Sequence, residues 1–442
     1  GDHRDLPSFP TRRSSDLMGM AEQALDQIGE PLRPFVEEGL AGTDRRHVKV
    51  ALRYLVRHPE DVQEPLVEKL LCIASSRETE VSVLALNVLS QRIDLLGPFA
   101  EPVLRGTDRR QWRLVLRYLS GHPGACCKSM VEPLSRIVAD TDGEIAGMAL
   151  QALSQVVEVR PLVEASLQEG GLASWKMALR YLIMHPDDPL CKEIPEVAWK
   201  EGFGFEMVYV PEGPFWMGSD KAEDSDAYDD EVPKHQVTLP GYWIAKTPVT
   251  VAQFRAFVEA EGYKAQEAAL KGPDDHPVRY VSWDDALAYC RWQSKRTGLP
   301  VMLPSEAEWE KAARGTDGRL YPWGNAKPDA SLCNFDNHEE GTTPVGRYSP
   351  QGDSPYGCVD MAGNVWEWTR SLWGQNLEKP DFGYPYDPKD GRENLNSRDS
   401  RVLRGGAFSY DEGGVRCAGR FRCNPGGRYY FIGFRLVLSP HL

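Results

Sequence analysis

A four-residue core returns at a fixed interval in the first half of the chain. Leu-Arg-Tyr-Leu begins at Leu52, Leu116 and Leu179, spacings of 64 and 63. A second motif lies between these: Ala-Leu-Asn-Val-Leu-Ser-Gln from Ala85 returns as Ala-Leu-Gln-Ala-Leu-Ser-Gln from Ala149, again 64 apart. The period is two alternating units of about 30–34 residues. Each unit reads as two amphipathic helices: Val81, Leu84, Ala85, Val88 and Leu89 recur at helical spacing. His-Pro closes each Leu-Arg-Tyr-Leu helix, at His58-Pro59, His122-Pro123 and His185-Pro186. Proline stops the helix there, because it lacks an N–H and restricts the residue before it. Helix pairs repeated this way bury their apolar faces only against one another, which predicts an α-solenoid. The repeated histidines stand one per turn, too far apart to converge on a metal, and read as structural.

The pattern resembles HEAT-type repeats over roughly 20–195. That resemblance implies an extended surface for docking a protein partner. The all-α domain is placed at 18–198. Residues 1–17 contain no apolar segment, so they are not a signal peptide. They resemble a translated sequencing-adapter read-through and are set aside as foreign to the protein. A net charge of -14 argues against a nucleic-acid or anionic-membrane partner. No apolar run approaches the ~18 residues of a membrane span. Nine cysteines without a Cys-x-x-Cys pair predict a reducing cytoplasm rather than a disulfide framework or a zinc knuckle.

After Pro195 the texture changes. Glycine, tryptophan and tyrosine rise and helical periodicity fades. Gly204–Asp220 alternates apolar residues and turns like a β-hairpin, and His235–Thr250 continues with strand signals. Two helices are marked by their ends. One runs from Ser282, with Asp285 three residues on, to Gly298. The other runs from Ser305, with Glu308 three residues on, to Gly315. These are capping-box starts and glycine stops. The second half, 199–442, therefore reads as α+β with much irregular loop.

Nine motifs then occur in order: MVYVPEGPFWMGSD, TPVTVAQFRAFV, VSWDDALAYCRW, LPSEAEWEKAARG, YPWGN, DMAGNVWEWT, RVLRGGAF, RCAGR and GFRLV. Together they resemble the formylglycine-generating enzyme, or sulfatase-modifying factor, family over about 205–440. The resemblance implies a C-type-lectin-like fold. Relatives of this kind include oxidases that convert a sulfatase cysteine to formylglycine, non-haem-iron sulfoxide synthases, and fusions to signalling or repeat modules.

The oxidases hold copper on two thiolates, and a soft ion needs such a pair. By resemblance the pair would lie between Gly406 and Arg416. That interval contains no cysteine, and Tyr410 stands about where the first would be. Cys417 and Cys423 are the remaining candidates to replace it. The iron branch needs a histidine cluster, and only His235 and His276 are loose candidates in the domain. Neither copper nor iron is therefore expected. Calcium is: the resemblance implies a structural site of Asp360, the Gly363 and Val365 carbonyls, and Glu367, with Asn334 retained from a second family loop.

The C-terminal segment is rich in aromatic residues and arginine, the composition of binding hot spots. Tyr410, Asp411, Glu412, Arg420, Arg422, Arg428, Tyr429 and Tyr430 are the candidate ligand-facing residues. The leading expectation is a non-catalytic protein that binds a protein or peptide ligand. One alternative is an oxidoreductase or protein-modifying enzyme of the family with a divergent metal site. Another is a variable protein of a diversity-generating retroelement, whose hypervariable positions would fall between Ser409 and Phe431.

Overall fold

The repeat seen in the sequence has a physical origin at both ends of its helices. The computed structural model describes residues 33–42, 44–76, 79–140 and 142–439, so the foreign segment expected at 1–17 lies outside the described residues. The first helices are α1 (Arg33–Ala41), α2 (Arg45–Arg57), α3 (Glu64–Ala74), α4 (Thr79–Gln91), α5 (Ala100–Arg105), α6 (Arg109–Gly121), α7 (Val131–Val138) and α8 (Gly143–Ser154). Helix α2 starts where the Asp44 carboxylate accepts from the Arg46 N–H at 2.9 Å. Helix α6 starts the same way, with Asp108 accepting from Arg110 at 2.9 Å. At the other end the repeated histidine folds back onto the tyrosine one turn earlier. The ring pairs Tyr54–His58, Tyr118–His122 and Tyr181–His185 stack at 4.5, 4.4 and 4.1 Å.

The same period sets the ion pairs. Glu80 accepts from Lys49 at 2.7 Å and Arg53 at 3.1 Å. Sixty-four residues on, Glu144 pairs with Arg113 at 3.2 Å and Arg117 at 3.6 Å. Leu52, Leu55, Leu116 and Leu119 are fully buried beneath them.

The chain forms two compact units: residues to Val159 apart from 139–143, and Ala139–Gly143 together with Arg160 onward. The second unit therefore begins before the strands do. It contains the helices α9 (Arg160–Glu169), α10 (Leu172–Met184) and α11 (Glu196–Phe203). Arg180 on α10 donates to the Thr297 and Gly298 carbonyls at 3.3 and 3.2 Å, which fixes this helix within the second unit.

The strands are β1 (Met207–Val210), β2 (Gly213–Met217), β3 (His235–Leu239), β4 (Tyr242–Ala245), β5 (Val301–Met302), β6 (Trp366–Gly374), β7 (Ser400–Arg404), β8 (Arg420–Cys423), β9 (Ile432–Gly433) and β10 (Val437–Leu438). They make sheets of order β1-β4-β10-β5 and β8-β7-β6-β9, and a β2-β3 ribbon. Residues 204–220 thus do not close on themselves as a hairpin. β1 pairs with β4, and β2 crosses over to β3, with Phe215 opposite Val237. The helices α12 (Val251–Glu261), α13 (Trp283–Thr297) and α14 (Glu306–Arg314) begin in capping boxes at Thr250, Ser282 and Ser305. Gly298 ends α13 in the left-handed region, the conformation glycine reaches without steric cost.

Helix α14 is charged and yet buried along its whole length. Its carboxylates are therefore matched by guanidinium groups. Glu308 pairs with Arg370 at 2.7 Å, and Glu306 with Arg420 at 2.5 Å. Glu310 pairs with Arg314 at 2.7 Å and also with Arg404. Trp309 packs in the interior with Cys358 and Met361 and has no exposed surface. Among the described residues no helix is long and apolar enough to cross a membrane.

Candidate functional site

β8 continues β7 in antiparallel register, Arg404 opposite Arg420 and Val402 opposite Arg422. Alternation along β8 sends its side chains two ways. Arg420 and Arg422 both lie over Trp373, each with its guanidinium carbon 5.2 Å from the ring centroid. Phe421 turns the other way and stacks on Trp366 at 5.4 Å. Tyr410 completes the aromatic wall, edge-on to Trp366 at 5.4 Å and to Phe421 at 5.8 Å.

These residues line a cleft of about 630 Å³. Its opposite wall is the loop carrying Tyr228, Asp229 and Asp230. Arg416 holds that loop in place. It donates to Asp224 at 2.8 Å, to both oxygens of Glu231 at 2.6 and 2.8 Å, and to the Asp226 carbonyl at 3.1 Å. Burial pushes the Glu231 carboxyl up, and Arg416 opposes that rise. Burial likewise raises the Asp230 carboxyl, against the pull of Arg420 and Arg422.

Four of the eight expected ligand-facing residues line this cleft: Tyr410, Asp411, Arg420 and Arg422. The other four do not. Glu412 pairs with Lys327 at 2.9 Å. Arg428 clamps Asp285 at the start of α13, at 2.8 and 3.0 Å. Tyr429 and Tyr430 are exposed and pack on Phe431 outside the cleft. Sequence reasoning missed Tyr228, Asp229, Asp230 and Trp366 as lining residues, while Ser409 and Phe421 fall in the segment it gave to hypervariable positions. The acidic run from Asp224 to Glu231 was the available clue, because an arginine as buried as Arg416 needs carboxylates from somewhere.

The two cysteines do not form a pair, and all nine in the chain are free thiols. Cys417 sits in the core with Trp309 and Cys358, and its N–H donates to the Leu320 carbonyl at 2.8 Å. Cys423 lies on β8, opposite Arg401. Burial pushes the Cys417 thiol up to about 12 and the Cys423 thiol up to about 11. Burial thus disfavours the thiolate that a nucleophilic role needs at either position. Iodoacetamide at pH 8 is accordingly expected to leave both unmodified in the folded protein and to alkylate both in urea. Peptide mass mapping checks this, and rapid native alkylation of Cys417 would contradict its burial.

Among the described residues no group of three or more His, Cys, Asp or Glu side chains could hold a metal ion. His235 has both ring nitrogens engaged, Nδ1 with the Pro233 carbonyl at 2.8 Å and Nε2 accepting from Tyr386 N–H at 2.8 Å. His276 meets Thr342 at 3.1 Å. Among the described residues the side chains fit neither a dithiolate copper site nor a histidine iron site. The expected calcium ligands fit only in part. Asn334 has a buried Oδ1 with no hydrogen-bond partner. Asp360 is buried and accepts from the Gly346 N–H at 2.8 Å. The Gly363 carbonyl accepts from the Val365 N–H at 2.9 Å. Glu367 is committed elsewhere: Arg435 grips its two oxygens at 2.6 and 2.7 Å, and Trp309 donates to it at 2.7 Å.

Residues 198–440 match the family described as the sulfatase-modifying factor enzyme 1-like domain. The hercynine oxygenase of Mycolicibacterium smegmatis is 34% identical over 279 residues, which cover 55% of this chain and 64% of that relative. The formylglycine-generating enzyme of Thermomonospora curvata is 32% identical, over 53% of this chain and 93% of that protein. The formylglycine-generating enzyme of Mus musculus is 30% identical, over 54% and 76%. The chain thus spans less than two thirds of the hercynine oxygenase it matches. These relatives are named as enzymes. That overturns the expectation of a non-catalytic binding protein, which rested on the missing cysteine pair, the missing histidine cluster and the aromatic and arginine composition of the C-terminal segment.

Proposed function

The chain belongs to the sulfatase-modifying factor enzyme 1-like family through residues 198–440, and on that premise we propose that it is an enzyme, an oxidoreductase or protein-modifying enzyme acting at the cleft between β8 and the Tyr228–Asp230 loop. The observation that carries this reading is the cleft itself. It is walled by aromatic rings on one side and by a half-buried carboxyl with a raised proton affinity on the other. Trp366, Tyr410 and Phe421 would exclude water from the substrate, which strengthens every charge interaction inside. Asp230 would hold or accept a proton, since a carboxyl raised by burial works closer to neutral pH than an ordinary aspartate. Arg416 positions that residue by anchoring its loop.

The helical repeats, HEAT-like in their pairing, would dock a protein partner. Nine free thiols fit a reducing compartment such as the cytoplasm.

The test is turnover. The full chain is incubated in air with a metabolite mixture and with a peptide library, each with copper, iron or calcium salts added in turn. Mass spectrometry follows substrate loss. The expected result is a protein-dependent mass change that falls by about a hundredfold in Asp230→Asn. A mixture left unchanged under every condition would overturn the enzymatic reading.

A further inference from the structure

The three helices that carry the Leu-Arg-Tyr-Leu core are basic throughout. α2 holds five lysine or arginine residues, α6 four and α10 two, and none of the three holds an aspartate or glutamate. The whole chain, by contrast, has a net charge of -14. The cations keep the period of the repeat. Arg45, Lys49 and Arg53 return 64 residues on as Arg109, Arg113 and Arg117, about one per helical turn along one face. Local stability does not ask for this arrangement. Like charges four residues apart repel, and Arg45 and Arg109 open their helices at the positive end of the dipole.

The third copy shows what such a face takes when it is covered. Lys176 and Arg180 stand at the positions of Arg113 and Arg117, and they are only 8% and 6% exposed. Arg180 donates to the Thr297 and Gly298 carbonyls. Those carbonyls end α13, so they are the negative pole of a helix. Burial lowers the proton affinity of Arg180, and the charges of Asp140 and Asp142 oppose that fall. In α10, then, the face meets peptide oxygens and carboxylates. In α2 and α6 the same face lies at the surface, with the Arg53 side chain 35% exposed and that of Arg117 54%. Glu80 and Glu144 are each shared between two of its cations. Exposed pairs of this kind are weak, so a carboxylate from outside competes with them.

Resting on the reading of the helical repeats as a docking module, we propose that this face of α2 and α6 binds an acidic, extended segment of a partner protein. Equivalent positions of successive repeats stack on one side of a solenoid, so the two sets of cations form one surface. Residues four apart on a helix lie about 6 Å apart along its axis. Alternate residues of an extended chain lie about 6.6–6.8 Å apart. A segment with glutamate or aspartate at every second position therefore brings one carboxylate to each cation along a helix. A nucleic acid is disfavoured, because its polyanionic backbone is repelled by the acidic remainder of the chain.

The experiment is fluorescence anisotropy with the full chain. The probes are labelled twelve-residue peptides of alternating glutamate and threonine, glutamine and threonine, or lysine and threonine, and an oligothymidine with as many charges as the glutamate peptide. The expected result is binding of the glutamate peptide, at least tenfold tighter than any other probe and weakening as salt rises. Arg53→Gln with Arg117→Gln should weaken it at least tenfold. Lys327→Gln with Arg398→Gln, the same loss of charge in the second unit, should leave it unchanged. Glu80→Gln with Glu144→Gln removes the competing carboxylates and should tighten it at least threefold, a gain that damage to the fold would not produce. Circular dichroism confirms that each variant is folded. The proposal falls if the glutamate peptide does not bind, if the oligothymidine binds as well, or if the Arg53 and Arg117 changes have no effect. Binding of the glutamine or lysine peptide in its place removes the acidic partner and leaves the docking reading standing. Failure of every peptide removes both.

Discussion

Replacing Glu367 with alanine should destabilise the second unit by about 3–5 kcal/mol, because it strands a buried cation. Glu367 and Arg435 have no exposed surface. The guanidinium also donates to the Ala245 and Val359 carbonyls at 3.1 and 3.0 Å, so it cannot swing out to water without breaking these too. The alanine also removes the acceptor of the Trp309 indole N–H. The measurement is a urea transition followed by tryptophan emission. A double change, Glu367→Leu with Arg435→Met, should recover at least half of the loss, since it removes both charges and keeps the volume. A single-variant loss below about 1 kcal/mol would mean that the pair is solvated. EGTA added to the unmutated protein separates this pair from a metal role. A chelator-induced loss of equal size would assign the Glu367 carboxylate to calcium.

The second large effect concerns the wall of the cleft. Arg416→Ala should abolish turnover and destabilise the Asp224–Glu231 loop, again by about 3–5 kcal/mol, because Glu231 is left buried without its counter-charge. Its proton affinity is already raised by burial and is restrained by Arg416. Without that restraint, the folded state holds a proton on Glu231 at pH values where the unfolded chain has released it. The stability deficit should therefore shrink as pH falls from 7.5 to 5 and widen as pH rises. Arg416→Lys should recover part of the stability, since one ammonium cannot meet Glu231 in two places and Asp224 as well. Urea transitions at several pH values, with turnover measured on the same samples, check both. A deficit independent of pH would show that Glu231 is not the group left unmatched.

What could be read along the chain and what could not differ by the range of the interactions involved. The helix pairs were legible because their signal is local. The Leu-Arg-Tyr-Leu core, the Asp44 and Asp108 caps and the His-Pro stops act within one or two turns and repeat. The helix starts at Ser282 and Ser305 were legible for the same reason. The pairing of β1 with β4 rather than β2 was not, because strand partners separated by a loop look alike in the sequence.

The site divides in the same way. Tyr410, Asp411, Arg420 and Arg422 could be picked from composition, but so could Arg428, which instead clamps Asp285. Aromatic and charged residue types announce an interaction without saying with whom. Glu367 shows it again: the motif around it suits a calcium ligand, and the fold gives its oxygens to an arginine 68 positions away.

By itself, then, the sequence determined the helical repeat, the second domain's family and the segment that supplies one wall of the cleft, because each is written in residues near one another or in ordered motifs. The tertiary structure decided which of the two arginines in the cleft is matched and which is left open. A buried charge is settled by whatever carboxylate the fold brings within about 3 Å. For Arg416 that partner comes from 185 residues away, and for Arg422 none of the described residues supplies one.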